Sequence, residues 1–166
     1  MRTRTIAAAA LLGTVLVGSG RAHAQNGGTA INLTPADHAE IRHILTSLNQ
    51  GADFNDSELW VSQWTPDGSW TRPDGESFVG HDRLREYRRS TRVPGGGASG
   101  RRHWTNGVML TPTADGATGR TYYMLLDISV VPPTVATAGH YEDVFVKTAD
   151  GWRIKQRVIK PYPDDQ

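Results

Sequence analysis

The side chains of this sequence support acid–base chemistry best, and the candidate pair is Asp53 and His103. A neutral imidazole, whose ordinary pKa is about 6.5, is a competent general base near neutral pH. A carboxylate bonded to the other ring nitrogen fixes the tautomer and stabilises the imidazolium that forms. Such a pair can remove a proton from carbon or from a hydroxyl while a leaving group departs, or return the proton to another atom. This chemistry requires no metal and no nucleotide, so we expect no cofactor.

The same two residues also have a purely structural interpretation. One aspartate and one histidine that are roughly fifty residues apart do not form a motif by themselves. Asp53 could be an acid at the end of a helix that bonds to backbone, and His103 could be a core histidine with satisfied hydrogen bonds. Both interpretations stay open on the residues alone.

Other reaction types find less support in the sequence. The chain has no cysteine, which excludes thiolate metal sites and cysteine nucleophiles. His38 and His43 are five residues apart, a spacing that spreads them around a helix instead of aligning them for a metal. The sequence contains no Gly-x-Ser-x-Gly elbow, which argues against acyl-transfer hydrolysis.

Three helices are predicted ahead of the long strands, and the first would end near Asp53. Thr34 followed by Pro35 is typical of an N-cap and a first helical position. The apolar residues of this segment recur every three or four positions and form one face: Ile41, Ile44, Leu45, Leu48 and Ala52. A short second helix is predicted from Ser57, and it would include Trp64.

The third helix is predicted from about Asp82 to Arg92, and arginines crowd it: Arg83, Arg85, Arg88, Arg89 and Arg92. A solvated helix face is the usual interpretation of such a run, and capture of a phosphate or carboxylate is the alternative. The following segment, residues 93–101, contains three consecutive glycines and predicts a flexible loop, with a lid over a pocket as one interpretation.

Four long β segments follow, and His103 lies near the start of the first. Their predicted ranges are Arg102–Thr111, Ala117–Val130, Val135–Lys147 and Trp152–Lys160. Asp150-Gly151 is a strong hairpin signal, and Pro73-Asp74-Gly75 predicts a smaller hairpin over residues 68–79. The order predicts an α+β fold with three N-terminal helices packed on a strongly curved, mostly antiparallel sheet.

The N-terminus is typical of a secretory signal peptide. Arg2 and Arg4 precede an apolar run over residues 6–17, and Ala22-His23-Ala24 forms an A-x-A cleavage site. We therefore expect a signal peptide over residues 1–24, a linker over 25–33, one domain over 34–160 and a flexible tail over 161–166. This organisation predicts a periplasmic or secreted protein.

Cleavage would change the charge of the protein. The whole chain has a formal net charge of +1, and residues 1–24 hold three arginines and no acid, so the mature chain has +1 less 3, or −2. The slightly basic isoelectric point belongs to the precursor and does not indicate binding to nucleic acid. No membrane span is expected after cleavage, because the only long apolar run would be removed.

An ordered set of short segments carries a family resemblance. Asp53 precedes Trp64 by eleven residues, and five motifs follow in order: Asp67-Gly68-Ser69-Trp70, Gly75-Glu76-Ser77-Phe78-Val79-Gly80, Arg102-His103-Trp104-Thr105-Asn106, Gly139-His140-Tyr141-Glu142-Asp143 and Asp150-Gly151-Trp152-Arg153-Ile154. The set resembles the SnoaL-like branch of the NTF2-like superfamily over nearly the whole mature chain. The resemblance implies a cone that encloses a deep pocket, and a homodimer or homotrimer.

Within that superfamily the chain resembles scytalone dehydratase and hexachlorocyclohexane dehydrochlorinase, two cofactor-free lyases. The resemblance implies that Asp53 and His103 are catalytic. It also implies an apolar or aromatic small-molecule ligand. The substrate contacts that we expect, in part from strand parity, are Trp70, Trp64, Thr121 and Tyr123.

The supporting groups of both relatives differ in this chain. Ala52 stands where the dehydratase has a tyrosine, Thr121 where it has a second histidine, and Leu48 where the dehydrochlorinase has a lysine. The sequence therefore predicts a lyase or isomerase without naming its substrate. The alternatives are a non-catalytic ligand-binding domain and an epoxide hydrolase, although no Asp–Arg–Asp arrangement is evident. Asp143 and Arg157 are expected to pair across neighbouring strands as a structural contact.

Overall fold

A computed structural model of the protein describes residues 29–92 and 99–163. The predicted signal peptide, residues 25–28 of the linker, residues 93–98 of the glycine-rich loop and residues 164–166 of the tail lie outside the described residues.

Three helices and six strands make up the described fold. The helices are α1 (Pro35–Asp53), α2 (Ser57–Ser62) and α3 (His81–Ser90). The strands are β1 (Trp64–Thr71), β2 (Ser77–Val79), β3 (Arg101–Pro112), β4 (Gly116–Asp127), β5 (Thr134–Thr148) and β6 (Gly151–Pro161). The α+β class predicted from the sequence is confirmed, with helices packed on a curved, open sheet.

The start of α1 forms as its sequence predicts. Thr34 is the N-cap, and its side chain accepts a hydrogen bond from the backbone N–H of Asp37 at 3.2 Å. The Asp37 carboxylate in turn accepts from the Thr34 backbone at 2.9 Å, which completes a capping box. The same carboxylate accepts from Lys147 and from the Trp152 indole, each at 2.7 Å. These contacts, that of Lys147 foremost, hold the pKa of Asp37 well below its usual range and attach α1 to β5 and β6.

The apolar face of α1 lies on the sheet. Its buried aliphatic residues are Ile41, Ile44, Leu45 and Leu48, and the helix contacts β6 and β3. The other large residues of this core come from every layer: Trp60, Trp64, Trp70, Phe78, Leu84, Phe145, Trp152 and Ile154. Burial of this apolar surface holds the helices against the sheet.

The sheet has six strands in the order β2-β1-β6-β5-β4-β3. The predicted antiparallel meander is present in β3 to β6. The small hairpin also belongs to this sheet, because β1 pairs in parallel with β6 and places Trp70 opposite Arg157. Register shifts interrupt four of the strand pairs, and such bulges bend strands.

Several predicted boundaries differ in the structure, and β4, predicted to end at Val130, ends at Asp127. Trp64 begins β1 and does not belong to α2, because Pro66 favours an extended conformation in the residues before it. Helix α3 covers His81–Ser90, so it starts one residue earlier and ends two residues earlier than predicted. At the C-terminus, β6 includes Pro161, and the N–H of Tyr162 donates to the carbonyl of Ala138 at 2.8 Å.

Among the described residues, no helix has the length and apolar character needed to cross a membrane.

Candidate active site

Asp53 and His103 lie in direct contact where the end of α1 meets the edge strand β3. Nδ1 of His103 is 2.6 Å from Oδ1 of Asp53. The backbone N–H of His103 also donates to the Asp53 carboxylate, at 3.0 Å to Oδ2. None of the described strands covers the outer side of β3, so this N–H is available to the carboxylate. One buried carboxylate therefore holds the histidine by its backbone and by its ring.

This contact determines which nitrogen of the neutral ring carries the proton. An ionised carboxylate only accepts hydrogen bonds, so Nδ1–H of His103 is the donor and Nε2 holds the lone pair. Among the described residues, no hydrogen bond involves Nε2. The Asp53 side chain is 5% exposed and that of His103 is 24% exposed. The pair thus has the arrangement of a general base and the group that orients it.

His103 borders a cavity of about 90 Å³ between the helices and the sheet. Four aromatic rings form most of its wall: Trp60, Trp70, Tyr87 and Tyr141. Its polar members besides His103 are Asn49, Arg88 and Arg157. Burial raises the pKa of Tyr87 and takes that of Tyr141 well above its usual range, so both phenols remain protonated and can donate hydrogen bonds. The cavity is aromatic with a few directed polar groups, as ligand pockets generally are.

The four expected substrate contacts occupy different places. Trp70 lines the cavity and is 9% exposed. Trp64 is buried in the core, with its ring centroid 5.0 Å from that of Trp60. Thr121 and Tyr123 point to the same inner face of β4, as their parity predicts, but neither borders the cavity among the described residues. Tyr141 takes that place, with Tyr123 stacked against it at 4.5 Å.

Sequence reasoning missed two cavity residues on α3, Tyr87 and Arg88. The arginine run suggested a solvated helix, and most of its members are indeed on the surface. A second pattern lies within the run, however: Leu84, Tyr87 and Arg88 are spaced by three and four residues and share one face. Leu84 is fully buried, so this is the face that turns toward the core.

Asp143 and Arg157 form the predicted pair between β5 and β6. The Arg157 guanidinium donates two hydrogen bonds to the Asp143 carboxylate, at 2.7 and 2.8 Å, and both residues are buried. The same guanidinium lies 4.0 Å from the centre of the Tyr141 ring. Arg157, which lines the cavity, is therefore held in place by its two hydrogen bonds to the Asp143 carboxylate.

At least four larger hollows lie elsewhere on the described fold, and two of them are on the sheet. One, of about 400 Å³, includes Met109 and Val144 in its lining, and another, of about 570 Å³, lies beside Arg72 and Lys160. Neither lining includes Asp53 or His103. The small cavity is bordered by the histidine that a buried carboxylate orients, so it is the candidate active site.

Comparison with protein families identifies a match over most of the chain. The sequence profile of the SnoaL-like domain family matches residues 34–158. This range includes both members of the Asp–His pair and every residue that lines the cavity except Ile159. None of the curated proteins compared with this chain matches it.

Solved structures with the same fold support the architecture. A protein of unknown function with a cystatin-like fold from Nostoc punctiforme is 22% identical, with a TM-score of 0.70 over 80% of this chain and 96% of its own. A function-unknown protein from Mycobacterium tuberculosis is 25% identical, with a TM-score of 0.64 over 77% of this chain and 76% of its own. A candidate scytalone dehydratase from Novosphingobium aromaticivorans is 16% identical, with a TM-score of 0.62 over 76% of this chain and 84% of its own.

Proposed function

The chain belongs to the SnoaL-like domain family, and from this premise we propose that it is a cofactor-free lyase or isomerase whose acid–base pair is Asp53 and His103. Dehydration, dehydrohalogenation and a double-bond shift are the reactions in this class. We propose further that the enzyme acts in the periplasm or outside the cell, because its N-terminus is typical of an export signal.

The observation that supports the proposal most is the 2.6 Å contact between Nδ1 of His103 and Asp53, in a histidine that borders the cavity and whose Nε2 has no hydrogen bond among the described residues. A satisfied core histidine would be expected to use both ring nitrogens. A general base needs one nitrogen held and the other open toward the substrate. The arrangement therefore favours a catalytic role over a structural one.

In the proposed reaction, Nε2 of His103 takes a proton from a carbon of the substrate. In an elimination, the electron pair of the broken C–H bond forms the new double bond, and the leaving group departs with the electrons of its own bond. In a double-bond shift no group leaves, and the electron pair moves into the neighbouring double bond. Asp53 stabilises the imidazolium while it exists. The imidazolium then returns its proton to a departing hydroxyl in a dehydration, or to another carbon in an isomerisation. When the leaving group is a halide, the imidazolium gives its proton to water. Positioned proton transfer of this kind contributes about 10²–10⁴-fold.

The walls of the cavity support a small apolar or aromatic substrate. Its volume of about 90 Å³ is below the roughly 300–1,000 Å³ of most small-molecule pockets. A substrate larger than a few heavy atoms would therefore have to displace wall side chains, and the rings of Trp70 and Tyr87, 4.1 Å apart, would be among those affected.

Substitution of the proposed base tests the function. Wild type would be screened against small hydroxy and halogenated compounds for the ultraviolet absorbance of a new conjugated double bond. We expect His103→Gln to lower turnover by at least about 10²-fold, because an amide does not take a proton from carbon. The amide can still donate to Asp53, so the melting temperature should change little.

His43→Gln is the matched control, because His43 is an exposed histidine on α1, and it should retain full turnover. Full turnover in folded His103→Gln would refute the proposal. A joint loss of activity and melting temperature would instead identify His103 as a structural residue.

A ligand-binding domain without catalysis is the second candidate. The four aromatic rings around the cavity favour it, because aromatic side chains bind an apolar ring of a ligand whether or not a reaction follows. It predicts that a ligand of wild type binds equally well to Asp53→Asn and to His103→Gln. Epoxide hydrolysis has less support, because Arg157 bonds to one carboxylate, that of Asp143, among the described residues.

A further inference from the structure

Arg88 differs from the other arginines of α3 in what surrounds it. Three of its neighbours on the helix form ion pairs near the surface: Arg83 with Glu86, Arg85 with Glu58 and Asp82, and Arg89 with Glu58. Arg88 forms no ion pair with any described carboxylate and lines the cavity instead. Its positive charge is therefore directed inward and has no anion of the protein in contact with it.

The aromatic wall and a backbone carbonyl hold this guanidinium in place. Its carbon Cζ lies 5.6 Å from the centre of the Trp60 ring and 5.9 Å from that of Tyr87, within the range of a cation–π contact. One terminal N–H₂ group donates to the carbonyl of Ala52 at 3.2 Å. Ala52 directly precedes Asp53, so Arg88 is anchored one residue from the proposed catalytic carboxylate.

One donor of Arg88 is buried without an acceptor. The Nε atom is inaccessible to solvent and has no hydrogen-bond partner among the described residues. Burial lowers the pKa of the guanidinium, but an arginine side chain keeps its charge in proteins. Buried donors are normally paired, and an unpaired one on a cavity wall indicates a missing acceptor. The charge of Asp53 acts on the guanidinium from a distance, and a negatively charged oxygen would satisfy the free donor and supply the direct ion pair that Arg88 lacks.

The second guanidinium at the cavity does not have this capacity. Arg157 donates to both oxygens of Asp143, so its charge is already paired with a buried carboxylate, and two of its five N–H donors are used. Arg88 is thus the cation of the described cavity wall that can take an anion from outside the protein.

We propose that Arg88 is the subsite for a negatively charged oxygen of the ligand, and that the protein's substrate is a small organic anion such as a carboxylate. That the bound anion is a substrate rests on the proposed function, whereas the binding of an anion at Arg88 does not depend on turnover. A carboxylate bonded to Arg88 would place the carbon atoms next to it in the part of the cavity that His103 borders. Arg88 would then orient the carbon that loses its proton.

Propionate and propionamide are suitable probes, because they have nearly the same shape and differ in charge. Each would be titrated into ¹⁵N-labelled protein at constant ionic strength, with the Arg88 Nε–H resonance as the readout. That resonance is identified by its absence from Arg88→Lys. We expect propionate to shift it saturably and to bind at least about tenfold more tightly than propionamide, since bonds to charged groups are the stronger ones.

Substitution of Arg88 then tests whether this side chain causes the preference for propionate over propionamide. Arg88→Gln should weaken propionate binding about tenfold, to the level of propionamide, whereas Arg88→Lys keeps the charge and should retain part of the preference. Arg89→Gln is the matched control, because Arg89 is its exposed neighbour on the same helix, and both probes should bind to it as to wild type.

Equal binding of the two probes to wild type would overturn the proposal, and so would a preference that survives in Arg88→Gln. If Arg88 only anchors α1 through Ala52, Arg88→Gln lowers the melting temperature and neither probe moves the Nε–H resonance of wild type. The wild-type titration decides the matter even if Arg88→Gln does not fold. The propionate preference should persist in His103→Gln, because the anion subsite does not depend on the base. If the preference persists and wild type shows no elimination activity, the anion subsite is supported and the lyase is rejected.

Discussion

At the scale of single residues, Asp53 performs two tasks that are usually divided between two groups. It accepts the Nδ1–H of His103 and also the backbone N–H of the same residue. The first contact selects the tautomer, and the second fixes the strand position from which the ring extends. Because the carboxylate is buried, both contacts form where water competes little for them. The imidazole is therefore held ready before a substrate binds.

Asp53→Asn tests this arrangement without changing the size of the side chain. We expect kcat to fall by about 10²–10⁴-fold, because the amide neither stabilises the imidazolium by charge nor enforces the tautomer. Asp53 does not border the cavity among the described residues, so KM should stay near the wild-type value. Steady-state kinetics on a compound turned over by wild type gives both quantities. An unchanged kcat would mean that His103 acts without Asp53.

At the scale of elements, the site depends on how closely α2 approaches the last turn of α1. Gly51 allows this approach, because a Cβ atom there would lie 2.9 Å from the carbonyl oxygen of Asp56 and 2.9 Å from the backbone nitrogen of Trp60. Both are backbone atoms and cannot rotate away. The two helices deliver Asp53 and Trp60 to the same site, so their spacing sets the distance between the carboxylate and one wall of the cavity.

Gly51→Ala is expected to destabilise the protein, although alanine is the better helix former by about 1 kcal/mol. The added methyl group should cost about 1–3 kcal/mol by overpacking, and urea denaturation would measure the net change in the free energy of unfolding. Gln50→Ala is the matched control, since it alters an exposed neighbour in the same turn and should leave stability nearly unchanged. A stabilised Gly51→Ala would show that α2 can move away freely.

At the scale of the whole molecule, one curved sheet and three helices together form the cavity that His103 borders. The cavity borders residues from α1, α2, α3 and four of the six strands. No element encloses it alone, so the site exists only in the folded domain. The region matched by the family profile begins at residue 34, beyond the predicted signal peptide and linker.

Export of the protein is the prediction that belongs to this scale. When the full chain is produced in a secreting bacterial host, we expect the mature protein to begin at Gln25, after the Ala22-His23-Ala24 site. Mass spectrometry of the periplasmic and external fractions measures the new N-terminus. Ala24→Lys should block cleavage, because the position requires a small residue. An intact N-terminus on cytoplasmic protein would contradict the prediction.

The sequence by itself determined the features that depend on neighbouring residues. The Thr34 cap, the apolar face of α1 and the hairpin at Asp150-Gly151 follow from local hydrogen bonding and periodicity. The order of the elements was sufficient to predict the fold class, and the family resemblance of the ordered motifs, not a local pattern, implied that Asp53 and His103 act together. The pairing of Asp143 with Arg157 was expected as a contact between opposite charges on neighbouring strands.

Only the tertiary structure decided the features that depend on distant parts of the chain. The parallel pairing of β1 with β6 is such a feature, because strand order within a sheet is set by packing between elements. The inward turn of Arg88 is another, since a run of arginines looks alike in sequence whichever member faces the core. Long-range packing also decides that Tyr141 borders the cavity and that Thr121 and Tyr123 do not. Local patterns specify which face of an element is buried, and long-range packing decides what that face encloses.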